Sequence, residues 1–181
     1  MIPFIQTIDL RIILFIEKHL NHESIQVFFS LITKLNDYGL LTILAVLLII
    51  NLYKDSQVTK ICLYSILISL IIVQLLGKNI IQRPRPFEIL SQLTLWIEKP
   101  TTYSFPSGHA SISGIGFMLS YLYLNEKIIK FTFMALFILV TVSRLVLKVH
   151  FFSDIFFGFF IAIIIVLLVQ YIILKRLSKE A

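Results

Sequence analysis

The sequence predicts an all-α protein, a polytopic bundle of about five to six transmembrane helices preceded by amphipathic helices at the membrane surface. Hydrophobic residues make up 58% of the 181 residues, and charged residues only 14%. A soluble domain of this length needs more charged surface, whereas a bundle whose outer face meets lipid does not. Apolar stretches of about 18 to 22 residues recur between polar connections, and each is long enough to cross about 30 Å of hydrocarbon.

We expect one integral membrane domain over residues 1–181, with interfacial helices over residues 1–35 and a transmembrane core over residues 38–175. In the first part, charged residues are spaced among Ile, Leu and Phe at helical intervals. This pattern is typical of helices that lie in the plane of the interface. Asn21-His22 marks a break between two such helices.

The core contains five predicted spans. The first covers residues 38–53 and the second about 58–76, where Gly77-Lys78 ends the apolar run. Arg83-Pro84-Arg85-Pro86 forbids a continuing helix, and residues 87–104 are expected to form a loop on the membrane surface. The remaining spans are predicted from Ser107 to about Leu124, from about Ile128 to Leu147 and from about Ser153 to Leu174.

Charge placement predicts an orientation. Outside three clusters, the cations of the core fall on one side of the five-span arrangement, which the positive-inside tendency assigns to the cytoplasm. They are Lys54, Lys60, Lys127, Lys130, Lys175, Arg176 and Lys179. The clusters over residues 78–85, 106–109 and 144–150 then meet at the opposite face.

Because the cations lie beside apolar runs and in these clusters, the net charge of +6 does not indicate nucleic-acid binding. The single cysteine, Cys62, excludes a disulfide within the chain and suggests no cysteine-based metal site.

The segment Phe105-Pro106-Ser107-Gly108-His109 opens an apolar run. Pro106 suits the first position of a helix, and backbone N–H groups at Ser107 and Gly108 can bind an anion at the helix N-terminus. His109 can carry a proton near neutral pH and donate it to a leaving group. The same residues would also serve as a simple turn that starts a membrane helix.

The first cluster contains Lys78, Arg83 and Arg85 among the prolines of residues 78–86. Cations at the end of a membrane helix can be anchors that reach toward lipid phosphates. The prolines favour another interpretation, because they stiffen the segment. A guanidinium held in place at Arg85 can bind two phosphate oxygens at once.

The third cluster includes Ser143-Arg144, Lys148, His150 and Asp154. His150 and Asp154 are four residues apart, so on a helix they share a face and the carboxylate can bond one imidazole nitrogen. That contact fixes the tautomer and leaves the other nitrogen free to attack an electrophile. Ionisable residues at a membrane edge are functional candidates by default. Alternatively, Asp154 neutralises Arg144 or Lys148 at the interface.

Together the three clusters supply two histidines, one carboxylate and three or more cations on one membrane face. Phosphoryl transfer needs these groups, because cations and backbone N–H groups stabilise the negative charge on the transferring phosphoryl. Lys78, Arg85 and Arg144 are the candidate phosphate-binding cations. No divalent metal is required, since metal sites for this chemistry usually contain several carboxylates.

The three clusters resemble the three-part signature of the type 2 phosphatidic acid phosphatase superfamily. The match is in residue type, spacing and order, over Lys78, Arg85-Pro86, Pro106-Ser107-Gly108-His109, Ser143-Arg144, His150 and Asp154. The resemblance implies that His150 is the nucleophile that forms a phosphohistidine, that Asp154 orients it, and that His109 is the general acid. It also implies that Lys78, Arg85 and Arg144 hold the phosphate, helped by Ser107 and the amide of Gly108.

The implied function is a metal-independent, cofactor-free lipid phosphatase in a bacterial inner (plasma) membrane, a cell-envelope enzyme whose site faces the periplasm or exterior. The candidate substrates are undecaprenyl pyrophosphate, lipid A 1-phosphate, phosphatidylglycerol phosphate and phosphatidic acid. The expected partners are this lipid and the bilayer, with no nucleic acid and no obligate protein partner. A lipid phosphotransferase with the same site, an anion transporter and a purely structural subunit remain as alternatives.

Overall fold

A computed structural model describes residues 3–34 and 36–180, and these residues contain helices and no strand. The α-helices are α1 (Pro3–Leu20), α2 (Glu23–Lys34), α3 (Leu40–Tyr53), α4 (Ser56–Ser69), α5 (Lys78–Ile81), α6 (Pro86–Ile89), α7 (Gly108–Tyr123), α8 (Lys127–Val146) and α9 (Phe152–Glu180). A 3₁₀ turn, Asp37–Gly39, precedes α3, and a π-helical segment, Leu70–Gly77, joins α4 to α5.

Four helical stretches of the described chain are long and apolar enough to cross a membrane: Glu23–Tyr53, Ser56–Ile89, Lys127–Val146 and Phe152–Arg176. The all-α transmembrane class is therefore confirmed. The third predicted span corresponds to α7, whose 16 residues extend over only about 24 Å. The first stretch begins within residues 1–35, so the predicted division between interfacial helices and core stays a prediction.

Local sequence explains where the helices end. Asp55 begins α4, since its Oδ1 accepts hydrogen bonds from the amides of Gln57 and Val58 at 2.6 and 3.2 Å in the manner of an N-cap. Helix α5 ends at Gln82, whose φ of 48° is left-handed, two residues before Pro84. The chain then runs without long helices to α7, as the predicted surface loop requires.

Helix α7 lies at the centre of the bundle and packs against α3, α8 and α9. Its buried Ile115 and Leu119 belong to the apolar core. Close approach depends on small residues: a Cβ on Gly116 would lie 2.9 Å from Thr42 Oγ1, and a Cβ on Gly158 would lie 2.6 Å from the Ser107 carbonyl oxygen. The second contact brings the second turn of α9 against the N-terminus of α7.

The helices α1 and α2 pack on α8 and α9 and bury polar side chains against them. Gln26 Nε2 donates to the carbonyls of Leu20 and Val146 at 2.9 and 3.2 Å. Asp9 and Thr33 are also buried, although their charge and polarity predict exposure in an interfacial helix. The N-terminal helices therefore contact the same end of the bundle as the three sequence clusters.

Candidate active site

The helix ends bring the three clusters together. The start of α5, the start of α7, the end of α8 and the start of α9 supply Lys78, His109, Arg144 and Asp154. Lys78, Arg85 and Arg144 are all buried. Since like charges repel when they leave water together, three buried cations at one place form a site suited to an anion.

Arg85 is only 2% exposed and is held by backbone carbonyls rather than by a carboxylate. Its Nε donates to the Thr102 carbonyl at 2.7 Å, and its Nη1 donates to the Val149 carbonyl at 2.6 Å. Weaker bonds run from Nη2 to Thr102 Oγ1 at 3.2 Å and to the Tyr103 carbonyl at 3.4 Å. Arg85 forms no ion pair with a carboxylate in residues 3–34 and 36–180, so its charge is available to a ligand.

The other two cations are less fully bonded. Lys78 Nζ donates to Thr102 Oγ1 at 2.9 Å, which uses one of its three protons. Arg144 Nη1 donates to Thr33 Oγ1 at 2.5 Å, whereas its Nε is buried without a hydrogen-bond partner among the described residues. A buried unsatisfied donor is costly, and an anion in the site would supply the missing acceptor.

His150 lies between Asp154 and Arg85. Its Nδ1 is 3.5 Å from Asp154 Oδ2, and its Nε2 is 3.4 Å from Arg85 Nη1. The Nδ1 distance is longer than a hydrogen bond, as is common for catalytic contacts before substrate binds. Asp154 therefore faces one edge of the imidazole, and the other edge faces the cations, as the spacing of His150 and Asp154 predicts.

The surroundings of His150 keep it neutral. Burial lowers its pKa well below the ordinary value, and the nearby charges of Arg85, Arg144 and Lys78 lower it further. A neutral imidazole has a free nitrogen lone pair. His150 is therefore in the form that a nucleophile requires at neutral pH.

His109 lies in the first turn of α7, near enough to His150, Arg144, Lys78 and Arg85 to interact with them electrostatically. Its side chain is 26% exposed, and its Nε2 is 3.5 Å from Asp37 Oδ1. Sequence reasoning missed Asp37, because it lies 72 positions before His109 in a segment without a recognisable motif. Burial lowers the pKa of His109, and the nearby charges of Arg144, His150, Lys78 and Arg85 lower it further. A phosphate anion bound among these cations would oppose their effect and favour the protonated form that a general acid needs.

Ser107 and Gly108 play different parts in this structure. The Ser107 amide donates to the Asp154 carbonyl at 3.0 Å, so this N–H is not free for phosphate as the sequence suggested. The Ser107 hydroxyl accepts from Ala110 N at 3.4 Å and caps α7. Gly108 packs closely on Gln74, whose Nε2 would lie 2.3 Å from an added Cβ.

Arg83 differs from the other cations of its cluster. Its guanidinium pairs with two buried carboxylates, Asp9 at 2.7 Å and Asp154 at a very short distance. It also lies 4.0 Å from the centre of the Phe151 ring. Arg83 therefore forms ion pairs within the protein and is not available to bind phosphate. Asp154 pairs with Arg83, and not with Arg144 or Lys148 as the alternative interpretation held, while Lys148 pairs with Glu17 at 2.7 Å.

A cavity of about 420 Å³ opens beside His109. Gly108 and His109 line it, and much of the remaining lining consists of apolar side chains from α3, α4, the π-helical segment and α7. They include Ile43, Ile66, Leu70 and Ile112. Residues 3–34 and 36–180 contain no group of three or more His, Cys, Asp or Glu side chains placed to hold a metal ion.

Comparisons with known proteins agree with the motifs. The family model of the PAP2 superfamily matches residues 59–178, and no curated protein matches significantly. A transmembrane PAP2-type phosphatidylglycerolphosphate phosphatase from Bacillus subtilis has a similar structure, with a TM-score of 0.73 and 20% identity over 96% of this chain and 88% of its own. LpxE from Aquifex aeolicus also has a TM-score of 0.73, with 21% identity over 91% of this chain and 95% of its own.

Proposed function

The chain belongs to the PAP2 superfamily, and on that premise we propose that it is a membrane lipid phosphatase that works through a phosphohistidine on His150. The predicted resemblance to this superfamily is confirmed, and the fold is that of PAP2-type membrane phosphatases. The observation that carries the proposal is the placement of a neutral, buried His150 between Asp154 and three buried cations. This arrangement suits attack on phosphorus.

In the first step, His150 Nε2 attacks phosphorus and the bond to the leaving oxygen breaks. Lys78, Arg85 and Arg144 stabilise the charge on the phosphoryl oxygens as it develops. His109 gives its proton to the departing oxygen, and Asp154 stabilises the positive charge that forms on the His150 ring. The products of this step are the dephosphorylated lipid and phosphohistidine.

In the second step, water attacks the phosphohistidine. His109, now neutral, accepts a proton from that water, since the acid of one step is the base of the reverse step. Inorganic phosphate leaves and His150 returns to its neutral form. No metal ion is needed in either step, because fixed cations supply the positive charge.

The cavity beside His109 supports a lipid substrate. Its apolar walls include residues of the spanning helices α3 and α4, so an acyl or prenyl chain can stay among apolar groups while its phosphate reaches the cations. Undecaprenyl pyrophosphate, lipid A 1-phosphate, phosphatidylglycerol phosphate and phosphatidic acid are the candidates. The Bacillus relative is named for phosphatidylglycerol phosphate.

The proposed location is a bacterial inner membrane, with the site at the periplasmic or exterior face. The cations at the α3–α4 and α7–α8 turns and at the end of α9 lie opposite the site along the chain's predicted path. The positive-inside tendency places these turns in the cytoplasm. The site then draws on lipid phosphates of the outer leaflet.

Release of phosphate from a panel of lipid phosphates, in detergent with excess chelator and no added acceptor, tests the proposal. We expect release by the wild-type protein, and a loss of about 10⁴-fold or more in His150→Ala. His22→Ala is the control, because His22 is exposed at the α1–α2 turn, and it should keep wild-type turnover. Full turnover by His150→Ala would overturn the mechanism. Dephosphorylation of the substrate only when an acceptor lipid is added, with the phosphoryl group recovered on that acceptor and not as inorganic phosphate, would indicate a phosphotransferase instead.

A further inference from the structure

A second buried polar cluster lies behind His150, on the side away from the phosphate-binding cations. It consists of Asp9, Arg83, Ser153 and Asp154, all of which are 6% exposed or less. Of these residues, only Asp154 is among those that match the signature of the superfamily. Asp9 comes from α1, more than 70 positions from Arg83, so the cluster joins the N-terminal helix to the first turn of α9.

Asp9 makes contacts to both Arg83 and the α9 backbone. Its Oδ2 accepts from Arg83 Nη2 at 2.7 Å and from Ser153 Oγ at 2.5 Å. Its Oδ1 accepts from the Ser153 amide at 3.0 Å. Asp9 therefore satisfies one of the free N–H groups at the start of α9 and fixes the plane of the Arg83 guanidinium.

The other nitrogen of the Arg83 guanidinium, Nη1, binds Asp154. Arg83 Nη1 donates to Asp154 Oδ1 and, at 2.7 Å, to Ser153 Oγ. Asp154 Oδ2 accepts from the Phe151 amide at 2.8 Å and is the oxygen that faces His150 Nδ1. Arg83 thus holds one oxygen of the carboxylate and the Phe151 amide holds the other, and the Ser104 side chain also interacts with it. Of these groups, Arg83 is the one that links Asp154 to Asp9.

Stability alone does not explain this cluster. Burying two carboxylates and one guanidinium costs solvation energy, and well-packed apolar residues often stabilise a fold as much or more. A planar guanidinium that binds two carboxylates at once does, however, fix their geometry. Helix α1 is also tied to the bundle elsewhere, because Glu17 pairs with Lys148.

We propose that Asp9 is a positioning residue for the nucleophile: through Arg83 it fixes the Asp154 carboxylate that orients His150. This inference rests on the proposed function, since it assumes that His150 attacks phosphorus. It extends the site to the N-terminal helix, which the sequence assigned to the membrane surface. It also gives a role to Arg83, which the motifs leave without one.

The test is a double-mutant cycle of Asp9→Asn and Asp154→Asn, with kcat and KM measured on one lipid phosphate. Asp9→Asn alone should lower kcat by about tenfold to a hundredfold, the size typical of residues that orient a reacting group, with KM within about threefold because the cations are untouched. In the Asp154→Asn background, the same change should lower kcat by less than about threefold, since residues that act as a unit are not additive.

Glu17→Gln is the matched control, since it also replaces a carboxylate of α1 that pairs with a buried cation but does not contact Asp154. Its kcat should stay within about threefold of wild type. Melting temperature and gel filtration in detergent check folding of each variant. If Asp9→Asn does not fold, Ser153→Ala removes one hydroxyl of the cluster and should lower kcat by about threefold to tenfold through the same route.

Two results would overturn the proposal while leaving the proposed function in place. One is wild-type kcat in Asp9→Asn, or in Ser153→Ala where the first variant fails to fold. The other is an Asp9→Asn effect of equal size in the wild-type and Asp154→Asn backgrounds, which indicates a general structural role. Wild-type kcat in Asp154→Asn itself would overturn the phosphohistidine mechanism and this proposal with it.

Discussion

The substitution Arg85→Lys keeps a positive charge in the phosphate site but removes the planar fork that places it. Arg85 uses separate nitrogens for the Thr102 and Val149 carbonyls, at 2.7 and 2.6 Å, while Nη1 also faces His150 Nε2. A Lys ammonium is a single point of charge and cannot occupy these positions together. The donor next to the reacting nitrogen is therefore lost. Losing one such preorganised donor costs about 2.7–4 kcal/mol of transition-state stabilisation, or about 10²- to 10³-fold in kcat.

The assay is steady-state phosphate release with a lipid phosphate, combined with a thermal melt in detergent. Arg176→Lys is the control, since Arg176 is exposed near the end of α9 and should keep wild-type kcat and melting temperature. We expect Arg85→Lys to lower kcat/KM by about 10²-fold or more, with kcat carrying most of the loss. A kcat/KM within about threefold of wild type in a folded variant would refute the assignment of Arg85 to the transition state.

Further predictions concern His150, Asp37 and the helix contact at Gly158. Folding lowers the pKa of His150 below its ordinary value of 6.5, so the unfolded chain binds this proton at a higher pH than the folded chain does. The free energy of unfolding should therefore fall as the pH drops below 6.5, by up to about 1.4 kcal/mol per pH unit. Thermal melts of His150→Gln should show a smaller loss of stability, and an equal loss would contradict a buried neutral His150. Asp37→Asn should slow phosphate release from alkyl phosphates by about tenfold. The rate with p-nitrophenyl phosphate should stay unchanged, because that leaving group needs no proton. Equal slowing with both substrates would exclude a role of Asp37 in proton donation by His109. Gly158→Ala places a Cβ 2.6 Å from the Ser107 carbonyl oxygen, so it should destabilise the fold by about 1–3 kcal/mol and also lower kcat. The control Gly116→Ala should lower the melting temperature alone. Unchanged kcat in Gly158→Ala would contradict a link between this helix contact and the site.

Much of the fold follows from hydrophobic length and from a few breaking residues. The fourth span, predicted from about Ile128 to Leu147, is the helix Lys127–Val146, because charged residues and a polar turn mark both of its ends. The break at Asn21-His22 also lies between α1 and α2. The third span, predicted from Ser107 to about Leu124, corresponds to α7, Gly108–Tyr123. The sequence does not show that this helix lies at the centre of the bundle, since apolar content is equally typical of a lipid-facing helix and of a helix buried among others.

The site could be predicted where its residues form local patterns and not where they act over long distances. His150 lies in the turn before α9 and Asp154 in its first turn, so their short spacing brings them close although His150 is not helical. Asp9 reads as an interfacial charge in the sequence, because a charged residue at a helical interval looks the same whether it faces water or a buried partner. Its partner Arg83 is far away in the chain, and only the packing of α1 against α9 brings the two together.

The sequence also could not predict the hydrogen bond that the Ser107 amide donates to the Asp154 carbonyl. A helix N-terminus after Pro106 predicts free N–H groups, but the close approach at Gly158 brings the Asp154 carbonyl to 3.0 Å from the Ser107 nitrogen. This bond links the start of α7, which carries His109, to the start of α9, which carries Asp154. In the proposed mechanism, phosphate binding therefore depends on the side-chain cations more than the motif alone suggests.

The stereochemical course at phosphorus tests the central claim most directly. A lipid phosphate made chiral with oxygen isotopes and sulfur is hydrolysed in isotopically labelled water, and the configuration of the released thiophosphate is determined. Two in-line displacements, first by His150 and then by water, predict overall retention of configuration. Inversion would show a single direct attack by water and would contradict a phosphohistidine intermediate.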